Sequence, residues 1–515
     1  MRIGFVSAEL STGSSASLWP SVASMFPSGG KDTLVVFPGG RLYSQDPIER
    51  MRNSIYEMVT PENLDGSIIW SSSLTGMAKS EDVIEAFRSM LSKPMVTIDG
   101  KTTSYPNIPN VRFNASEGTR KIVDHCIERH GARRIAYIRG PEYHNSAQER
   151  YRAFLESMHT HGLEVDMDLV SDPMPWESGD EAVRQILEGR GKIPGKDFDT
   201  LLCASDLMLY RASIELSARG FEIGKDLFAC GFNDSLESRL LNVPVTTVRL
   251  PYAGLGINSV LSFRSISEGR PCNDRELPAL PIFRRSCGCT MGHARETIRD
   301  VQSIAEMVSE IFAIPGNEAW TMLDRTVKTP TEANLRILLD RLCKNGADVF
   351  EVFEIMSCLD GLISTTEEKR TRLQDTVSYL LPSVLDRNIS LRNYEDRIRR
   401  RAFNVFSNEL LQTNRITEID EVLKHNSKSL GFEQMHMVVF YEDSSYLVGT
   451  DLSFPESSLV PELKKPLLDG GVWIAAPLCT ETEYMGYLLM KSSGFNGQVC
   501  EEVRNLVSSA LRSSR

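Results

Sequence analysis

The sequence predicts an α/β fold with two lobes, followed by an α-helical segment and a small α+β domain. Three observations lead to this prediction. Short apolar runs alternate with helical patterns over residues 1–290, strand-like runs nearly vanish over 291–413, and they return from about 414 to 515. A chain of 515 residues is also too long for one hydrophobic core, so several domains are expected.

The first 290 residues read as strands joined by helices. Helical patterns cover Glu117–Arg129, which ends before Gly131, and a stretch from about Ala147 to His161, which ends before Gly162. The alternation predicts parallel sheets with right-handed crossovers, and this many strands suit two lobes better than one. Seven runs have strand character: Ile3–Val6, Thr33–Phe37, Gly66–Trp70, Met95–Asp99, Arg134–Arg139, Thr200–Ala204 and Leu227–Phe232.

Residues 291–413 form the helical segment, because their apolar residues recur at helical spacing. One such face could pair with a second copy in a coiled-coil-like dimer, although it extends over few heptads. The arginines beside it indicate a solvated helix face rather than a DNA contact. The face contains Leu391, Tyr394, Ile398, Ala402 and Val405, and it is flanked by Arg397, Arg399, Arg400 and Arg401.

Strand character returns in the last hundred residues. Apolar runs cover Met435–Tyr441, Trp473–Leu478 and Tyr484–Met490, and a helix from Val499 to Leu511 closes the chain. The predicted organisation is therefore a two-lobed small-molecule-binding domain over 1–290, a helical linker over 291–413 and an α+β module over 414–515.

Composition narrows the class of protein. The net charge of −12 argues against broad nucleic-acid binding, and neither a secretory signal nor a long apolar span is evident, so a cytoplasmic protein is expected. Ten dispersed cysteines do not suggest a disulfide framework. A metal at Cys287 and Cys289 would need two more ligands, and His293 is the only candidate nearby, so no metal site is predicted.

The stretch 201–251 carries the clearest functional signal. One apolar strand ends at Ser205 and Asp206, a helix closes at Gly220, and a second strand ends at Asn233 and Asp234. Polar side chains at the carboxyl ends of two parallel strands build a small-molecule site. The chain has no nucleophile elbow, zinc-protease motif or phosphate-binding loop, so neither an enzyme nor a cofactor is predicted.

Residues 1–290 resemble the effector-binding domain of the LacI/GalR regulators, which has a two-lobed type I periplasmic-binding-protein fold. The chain starts directly in the first strand, without the helix-turn-helix of that family, and its C-terminal module resembles a GAF domain. The matching pieces are LDGSIIW (64–70), KPMVTID (93–99), VRFNASEGTRKIVDHCIERHGARRIAYIRGP (111–141), AQERYRAF (147–154), CASDLML (203–209), GFEIGKDLFACGFND (220–234) and VPVTTVRLPYAGLG (243–256).

The resemblance implies three polar ligand-binding residues from the second lobe. Arg150 falls where the fold presents an arginine to the cleft, although it could instead pair with Glu149 on the helix surface. Asp206 could accept ligand protons or cap the following helix, and the family's preceding Asn is Ser205 here. Asn233 replaces the family's ligand-contacting Asp and could equally be a turn residue.

Aromatic and loop residues complete the predicted site. Trp70 ends a strand and is followed by Ser71, Trp19 follows a small-residue loop, and Trp176 lies in a loop that closes over the cleft in relatives. Tryptophan faces stack on sugars and bases, although each of these could also be a core residue. His144, in the loop after Gly140 and Pro141, could donate a hydrogen bond or simply be solvated.

The sequence therefore predicts a cytoplasmic sensor that binds a sugar- or nucleoside-like molecule between two lobes and relays its state. Signalling or transcription would be the output, through a partner protein or a homodimer. A DNA-binding regulator of the LacI type is the alternative, with 397–401 as its only basic candidate. A transport-type binding protein is opposed by the lack of a signal peptide.

Overall fold

The computed structural model describes residues 1–11, 15–75, 78–100, 103–289, 300–312, 314–347, 349–363, 367–461, 467–492, 494 and 497–514. Its strands are β1 Arg2–Ser7, β2 Thr33–Pro38, β3 Gly66–Trp70, β4 Met95–Ile98, β5 Asn110–Phe113, β6 Ile135–Ile138, β7 Thr200–Cys203, β8 Phe228–Cys230, β9 Thr247–Arg249, β10 Arg275–Leu277, β11 Leu280–Ile282, β12 Phe432–Tyr441, β13 Ser444–Leu447, β14 Ser453–Pro455, β15 Gly471–Cys479 and β16 Tyr484–Ser492.

The helices alternate with these strands in the first half and dominate the middle of the chain. They are α1 Ser15–Ala23, α2 Pro47–Arg52, α3 Ser71–Leu74, α4 Ser80–Ala86, α5 Ala115–His130, α6 Asn145–Thr160, α7 Gly179–Arg184, α8 Asp206–Ala218, α9 Tyr252–Ser267, α10 Val301–Phe312, α11 Gly316–Lys328, α12 Glu332–Lys344, α13 Val349–Ile363, α14 Glu367–Leu410, α15 Ile416–Asn426 and α16 Gly497–Ser514.

Two α/β lobes form the N-terminal half, as the strand–helix alternation predicts. In the first lobe, β10, β5, β4, β3, β1 and β2 lie side by side in parallel, and in the second lobe β6, β7 and β8 do the same. The chain crosses between the lobes after β5, after β9 and after β10. The carboxyl ends of both sheets therefore flank the space between the lobes.

The C-terminal strands extend the sheet of the first lobe. Strand β15 pairs in parallel with β2, with Thr33 opposite Gly471 and Val36 opposite Ile474. Beyond β15, the order β16, β12, β13 and β14 is antiparallel and completes an eleven-stranded sheet. The predicted strands and closing helix of this segment are confirmed, but its sheet is continuous with that of the first lobe. The likeness to a GAF domain and the domain boundaries stay predictions.

The hydrophobic core follows this continuity. One buried cluster combines Ile3 and Leu34 of the first lobe with Ile474 and Leu488 of the C-terminal strands, and it also includes second-lobe residues such as Tyr137. Asn63 adds a polar link between the first lobe and the C-terminal segment. Its amide donates to the carbonyls of Met58 (3.1 Å) and Ser457 (2.9 Å), and its Oδ1 accepts from the N–H of Leu459 (2.9 Å).

The helical segment has a core of its own. Helices α10 to α13 pack with the first part of α14 around buried Leu and Ile side chains such as Leu323, Leu338 and Leu359. The later part of α14 leaves this core, so its predicted apolar face is solvent-exposed, with 41% exposure at Leu391 and 60% at Tyr394. Within the described ranges, no helix combines the length and the apolar character that crossing a membrane requires.

Candidate functional site

A cavity of about 1630 Å³ lies between the two lobes and is the candidate functional site. Its walls come from the ends of β3 and β4 in the first lobe and from loops and α6 of the second lobe. The helical segment also reaches it, through Phe312, Asn345 and Gly346. The sequence prediction did not include this contribution of the helical segment to the cavity wall.

Trp70 and the serines after it form the wall from the first lobe. The indole Nε1 of Trp70 donates to Ser72 Oγ at 3.0 Å, and Ser73 Oγ donates to the Trp70 carbonyl at 2.8 Å. Both serines line the cavity together with Trp70. Ser71 does not, because it begins α3 and is fully buried against Gly100, so its prediction as a ligand residue is corrected.

Asp99 is a cavity residue that the sequence analysis did not single out. It follows β4 with a φ of 51°, in the left-handed region that costs free energy for a residue other than glycine. Burial and the nearby charge of Glu149 raise the pKa of its carboxyl to about 6, against a hydrogen bond from Ser72 and the charge of Arg150. Its place at the end of a predicted strand was the available signal.

Arg150 reaches the cavity from α6 and is the central polar group of the second-lobe wall. Its side chain is buried, donates to the Ala204 carbonyl and to Ser146 Oγ, and lies over the Phe232 ring with its Cζ 3.7 Å from the centroid. Its Nε finds no hydrogen-bond partner among the described residues. Burial lowers the pKa of this guanidinium, yet an arginine stays protonated at physiological pH.

Trp176 and His144 form an aromatic corner beside Arg150, as the sequence analysis expected of the cleft. Their rings meet edge to face with centroids 5.1 Å apart, and both line the cavity. Burial, helped by the charge of Arg150, lowers the pKa of His144 to about 3, so its imidazole is neutral. His144 Nδ1 accepts from the N–H of Ala147 at 3.3 Å, which leaves the ring proton on Nε2.

Asn233 also lines the cavity, whereas Asp206 does not. Its φ of 112° and the bond from its N–H to the Val248 carbonyl (2.9 Å) place it at a sharp turn. Asp206 is fully buried instead, because Thr247 Oγ1 (2.8 Å) and the N–H of Ser235 (2.9 Å) occupy its carboxylate inside the lobe.

The prediction of Trp19 as a ligand-binding residue is corrected as well. It lies in α1, which packs against α9, and its side chain is 1% exposed within the core shared by the lobes. The loop before it gave no information on the direction of the side chain, so the sequence could not separate a core tryptophan from a ligand platform.

A buried ionic cluster ties the second lobe to the helical segment at the edge of the cavity. Arg249 pairs with both Asp234 and Glu351, and Arg284 Nη1 lies 2.8 Å from Asp234 Oδ1 and its Nη2 3.8 Å from Glu351 Oε1. Burial alone would raise the pKa of Asp234, but the charges of Arg249 and Arg284 outweigh it and lower that pKa to about 2. Glu351 lies in α13 and is 4% exposed.

The C-terminal helix reaches the other side of the cavity through one ion pair. Arg52, which lines the cavity at the end of α2, donates from Nη2 to Glu501 Oε1 of α16 at 2.9 Å. Both side chains are mostly buried, with exposures of 14% and 13%. The cavity wall is thus in direct contact with each segment that follows the two lobes.

Comparison with known proteins agrees with this architecture. The periplasmic binding protein-like domain family matches residues 123–287. This part of the chain is similar to a periplasmic binding protein-like domain. The matched range begins at Val123 in α5 and contains the strands of the second lobe. It includes Arg150, Trp176 and Asn233 of the cavity wall.

Among curated proteins, the chain is similar to HTH-type transcriptional regulators. It is 25% identical over 228 residues to the transcriptional repressor PurR of Pasteurella multocida (strain Pm70), which covers 44% of this chain and 64% of that protein. It is 33% identical over 154 residues to the transcriptional regulator CelR of Thermobifida fusca, which covers 30% of this chain and 42% of that protein. The chain therefore spans less than two thirds of the length of these relatives.

Two solved structures that align with 55% of this chain are those of regulators. The complex of transcriptional regulator CelR with cellobiose has a TM-score of 0.46 and 23% identity, covering 55% of this chain and 84% of that one. The lac repressor dimer bound to operator and an anti-inducer has a TM-score of 0.46 and 20% identity, and the alignment covers 55% of this chain and 93% of that one.

Proposed function

We propose that the chain is a cytoplasmic sensor that binds a small sugar- or nucleoside-like molecule in the cavity between its lobes. The observation that carries the proposal is the meeting of Arg150, Asp99 and two tryptophan rings around one cavity. An arginine fork and a carboxyl group bind hydroxyl groups, and indole faces stack on sugars or bases. The unpartnered Nε of Arg150 supplies a buried donor that a bound oxygen would satisfy.

A neutral ligand suits the charges of the wall. Asp99, with a pKa of about 6, is mostly ionised near neutral pH and offsets the charge of Arg150, while His144 is neutral. The Asp99 carboxylate can accept from ligand hydroxyl groups, and the Arg150 guanidinium can donate to them. The ligand class therefore remains carbohydrate-like, and catalysis is not part of the proposed function.

The route from ligand to output runs through the helical segment. Phe312, Asn345 and Gly346 belong to the cavity wall, and Glu351 holds the same segment to the second lobe. Closure of the lobes on a ligand changes the space beside these residues, and a ligand that prefers one arrangement shifts the population toward it. The helices would pass that shift to a signalling partner or to a transcriptional output.

The test is a thermal-shift screen of the full chain against sugars, nucleosides, polyols and amino acids. A ligand at one hundred times its dissociation constant adds roughly 2.7 kcal/mol to the free energy of unfolding, which a melting curve resolves. Arg150→Gln and the isosteric Asp99→Asn should each abolish the shift. Arg152→Gln, two residues along the same helix and exposed, should leave it unchanged.

A screen without any hit, or a hit that survives both variants, would reject this site. Because Arg150 is buried, its variant is first compared with the unmodified protein by circular dichroism, and Asp99→Asn decides the question if Arg150→Gln does not fold.

A DNA-binding regulator remains the second candidate, favoured by the names of the similar repressors and by the exposed arginines 397–401 of α14. Phosphate contacts make such binding weaken steeply with salt. Electrophoretic mobility shifts of random-sequence duplex DNA at two salt concentrations test it, with Arg399→Gln and Arg400→Gln together as the variant. No shift at low salt would remove this candidate.

A homodimer through α14 is the proposed assembly. Apolar side chains on its exposed half stand at helical spacing and are 41% to 60% exposed at Leu391, Tyr394, Ile398 and Val405. Burial of such a stripe against its symmetry copy is the usual way that a long helix is stabilised. Light scattering of the purified chain should give the mass of a dimer, and Tyr394→Glu with Ile398→Glu should give that of a monomer.

A further inference from the structure

Two histidines and two cysteines converge on one point at the edge of the second lobe. His125 and His130 come from the last part of α5, and Cys287 and Cys289 flank a single glycine after β11. The two imidazole Nε2 atoms are 3.1 Å apart, and Cys289 Sγ lies 3.1 Å from His125 and 3.3 Å from His130. Cys287 Sγ is 3.7 Å from each of the two Nε2 atoms.

These separations are those of a tetrahedral metal centre. Zinc ligands at about 2.05 Å for nitrogen and about 2.3 Å for sulfur stand about 3.3 Å apart for two nitrogens and about 3.6 Å apart for nitrogen and sulfur. The observed distances scatter around both values, and all four ligand atoms lie within 4.8 Å of one another. Four lone-pair atoms that face one another need a shared cation or shared protons to be stable together.

Two glycines allow the backbone to adopt this arrangement. Gly288 between the two cysteines has a φ of +100°, and a Cβ there would stand 3.0 Å from His130 Nδ1 and 3.0 Å from the Phe228 ring. Only glycine therefore lets the two sulfurs turn toward the end of α5 while the backbone passes beside a ligand ring. Gly131, at a φ of +67°, ends α5 directly after His130.

The surroundings orient the ligands. The ring of Phe283 stacks on His125 with centroids 3.9 Å apart, and Thr246 Oγ1 lies 3.0 Å from Cys287 Sγ, where its hydroxyl can donate to a thiolate. Such contacts fix ligand direction and favour the ionised sulfur that a metal requires.

We propose that His125, His130, Cys287 and Cys289 bind one structural Zn²⁺ ion. Two imidazoles and two thiolates are the donor set of closed, structural zinc centres, and both thiol protons are released to solvent as the ion binds. Histidines from one helix and cysteines from a segment more than one hundred and fifty residues away would then be held by the same ion. Sequence analysis, which sought ligands close to the cysteines, considered only His293, which lies outside the described residues.

The site stands where it can fix the exit of the chain from the second lobe. Cys289 is followed, after residues 290–299, by the start of the helical segment at residue 300. The same turn packs its buried Ser286 against the second-lobe sheet, where Ser286 Oγ donates to the Ala229 carbonyl at 2.6 Å. A zinc ion there would hold the turn that contains Cys287 and Cys289 to α5, independently of any ligand in the cavity.

The experiment measures metal in the full chain purified under reducing conditions. Elemental analysis should find about one zinc ion per chain in the unmodified protein and in Cys272→Ser, a control that alters a partly exposed cysteine outside the cluster. Cys289→Ser and His130→Asn should lose most of it. His130→Cys keeps four ligands and should retain it, which separates loss of a ligand from failure to fold.

Cobalt provides the second readout. The chelator-treated protein titrated with Co²⁺ should develop the intense visible absorption of a tetrahedral, thiolate-bound ion, saturating at about one equivalent and displaced by Zn²⁺. The proposal is overturned if the reduced protein takes up neither ion, if Cys289→Ser binds as much as the unmodified chain, or if the two cysteines are joined in a disulfide in the metal-free protein as isolated.

Discussion

Glu351→Gln tests whether the helical segment is held to the second lobe by charge. The variant keeps the shape of the side chain but removes the negative charge that Arg249 and Arg284 share with Asp234. Among the described side chains, the two buried guanidinium groups would then share the carboxylate of Asp234, and exposures of 13% and 4% leave little water to compensate. Removal of one partner from a buried ion pair costs about 3 kcal/mol at the lower end of measured values.

The interaction itself is isolated by a double-mutant cycle. Glu351→Gln, Arg249→Met and the double variant are compared by urea unfolding, followed by tryptophan fluorescence. We expect a coupling free energy of about 2 kcal/mol between the two positions. Glu318→Gln is the matched control, because its pair with Arg341 lies in the same helical segment but is 39% and 37% exposed, so a loss under about 1 kcal/mol is expected.

A coupling below about 0.5 kcal/mol would refute the reasoning, because contacting residues in one ionic network couple by at least that amount. The reasoning would also be refuted if the Glu318 variant lost as much free energy of unfolding as the Glu351 variant, because burial would then not explain the contribution of the ionic cluster.

Two further predictions concern stability. Burial raises the pKa of Asp206 from its ordinary value near 3.8 to about 7 in the folded chain. Between pH 3.8 and pH 7 the folded chain therefore holds a proton on Asp206 that the unfolded chain has released. The free energy of unfolding consequently falls by up to about 1.4 kcal/mol for each pH unit in this range. Asp206→Asn should lose that part of the slope while its amide donates to Thr247, and equal slopes in both proteins would contradict the prediction. Asn63→Ala should lower the free energy of unfolding by about 3 kcal/mol, because the hydrogen bonds of Asn63 to Ser457 and Leu459 join the first lobe to the C-terminal strands. An unchanged urea unfolding curve would show that these hydrogen bonds are dispensable.

Much of the fold could be predicted because its periodic patterns are local. The runs at Gly66–Trp70 and Thr200–Cys203 appear in the structure almost as the apolar pattern gave them, and the helices after Asn114 and His144 end near their glycine stops or helix caps. Partners distant in sequence could not be predicted. Strand β15 is buried along its whole length, which indicates neighbours on every side but does not say that β2 is one of them.

The same limit explains the mixed outcome at the site. Trp70, predicted from its place at a strand end, and Arg150, predicted from the family resemblance, both line the cavity. The direction of Asp206 depends on Thr247, which approaches it from a neighbouring strand, and no local pattern shows that approach. Cys287 and Cys289 stood out in the sequence as a close pair, but His125 and His130 did not, because their distance from the cysteines in sequence carries no motif.

The pairing of β2 with β15 has a consequence for how the chain is made. Every residue of β2 is buried in the finished protein, yet its partner lies almost at the other end of the chain. During synthesis the first lobe must therefore emerge with an unpaired apolar sheet edge, and the closing contact waits until β15 has been made. Such a long loop closure is slow, and an exposed edge is a site of association between unfinished chains. We expect nascent chains that end before β15 to need chaperone protection, and the first lobe to become resistant to proteases only once the C-terminal strands have left the ribosome.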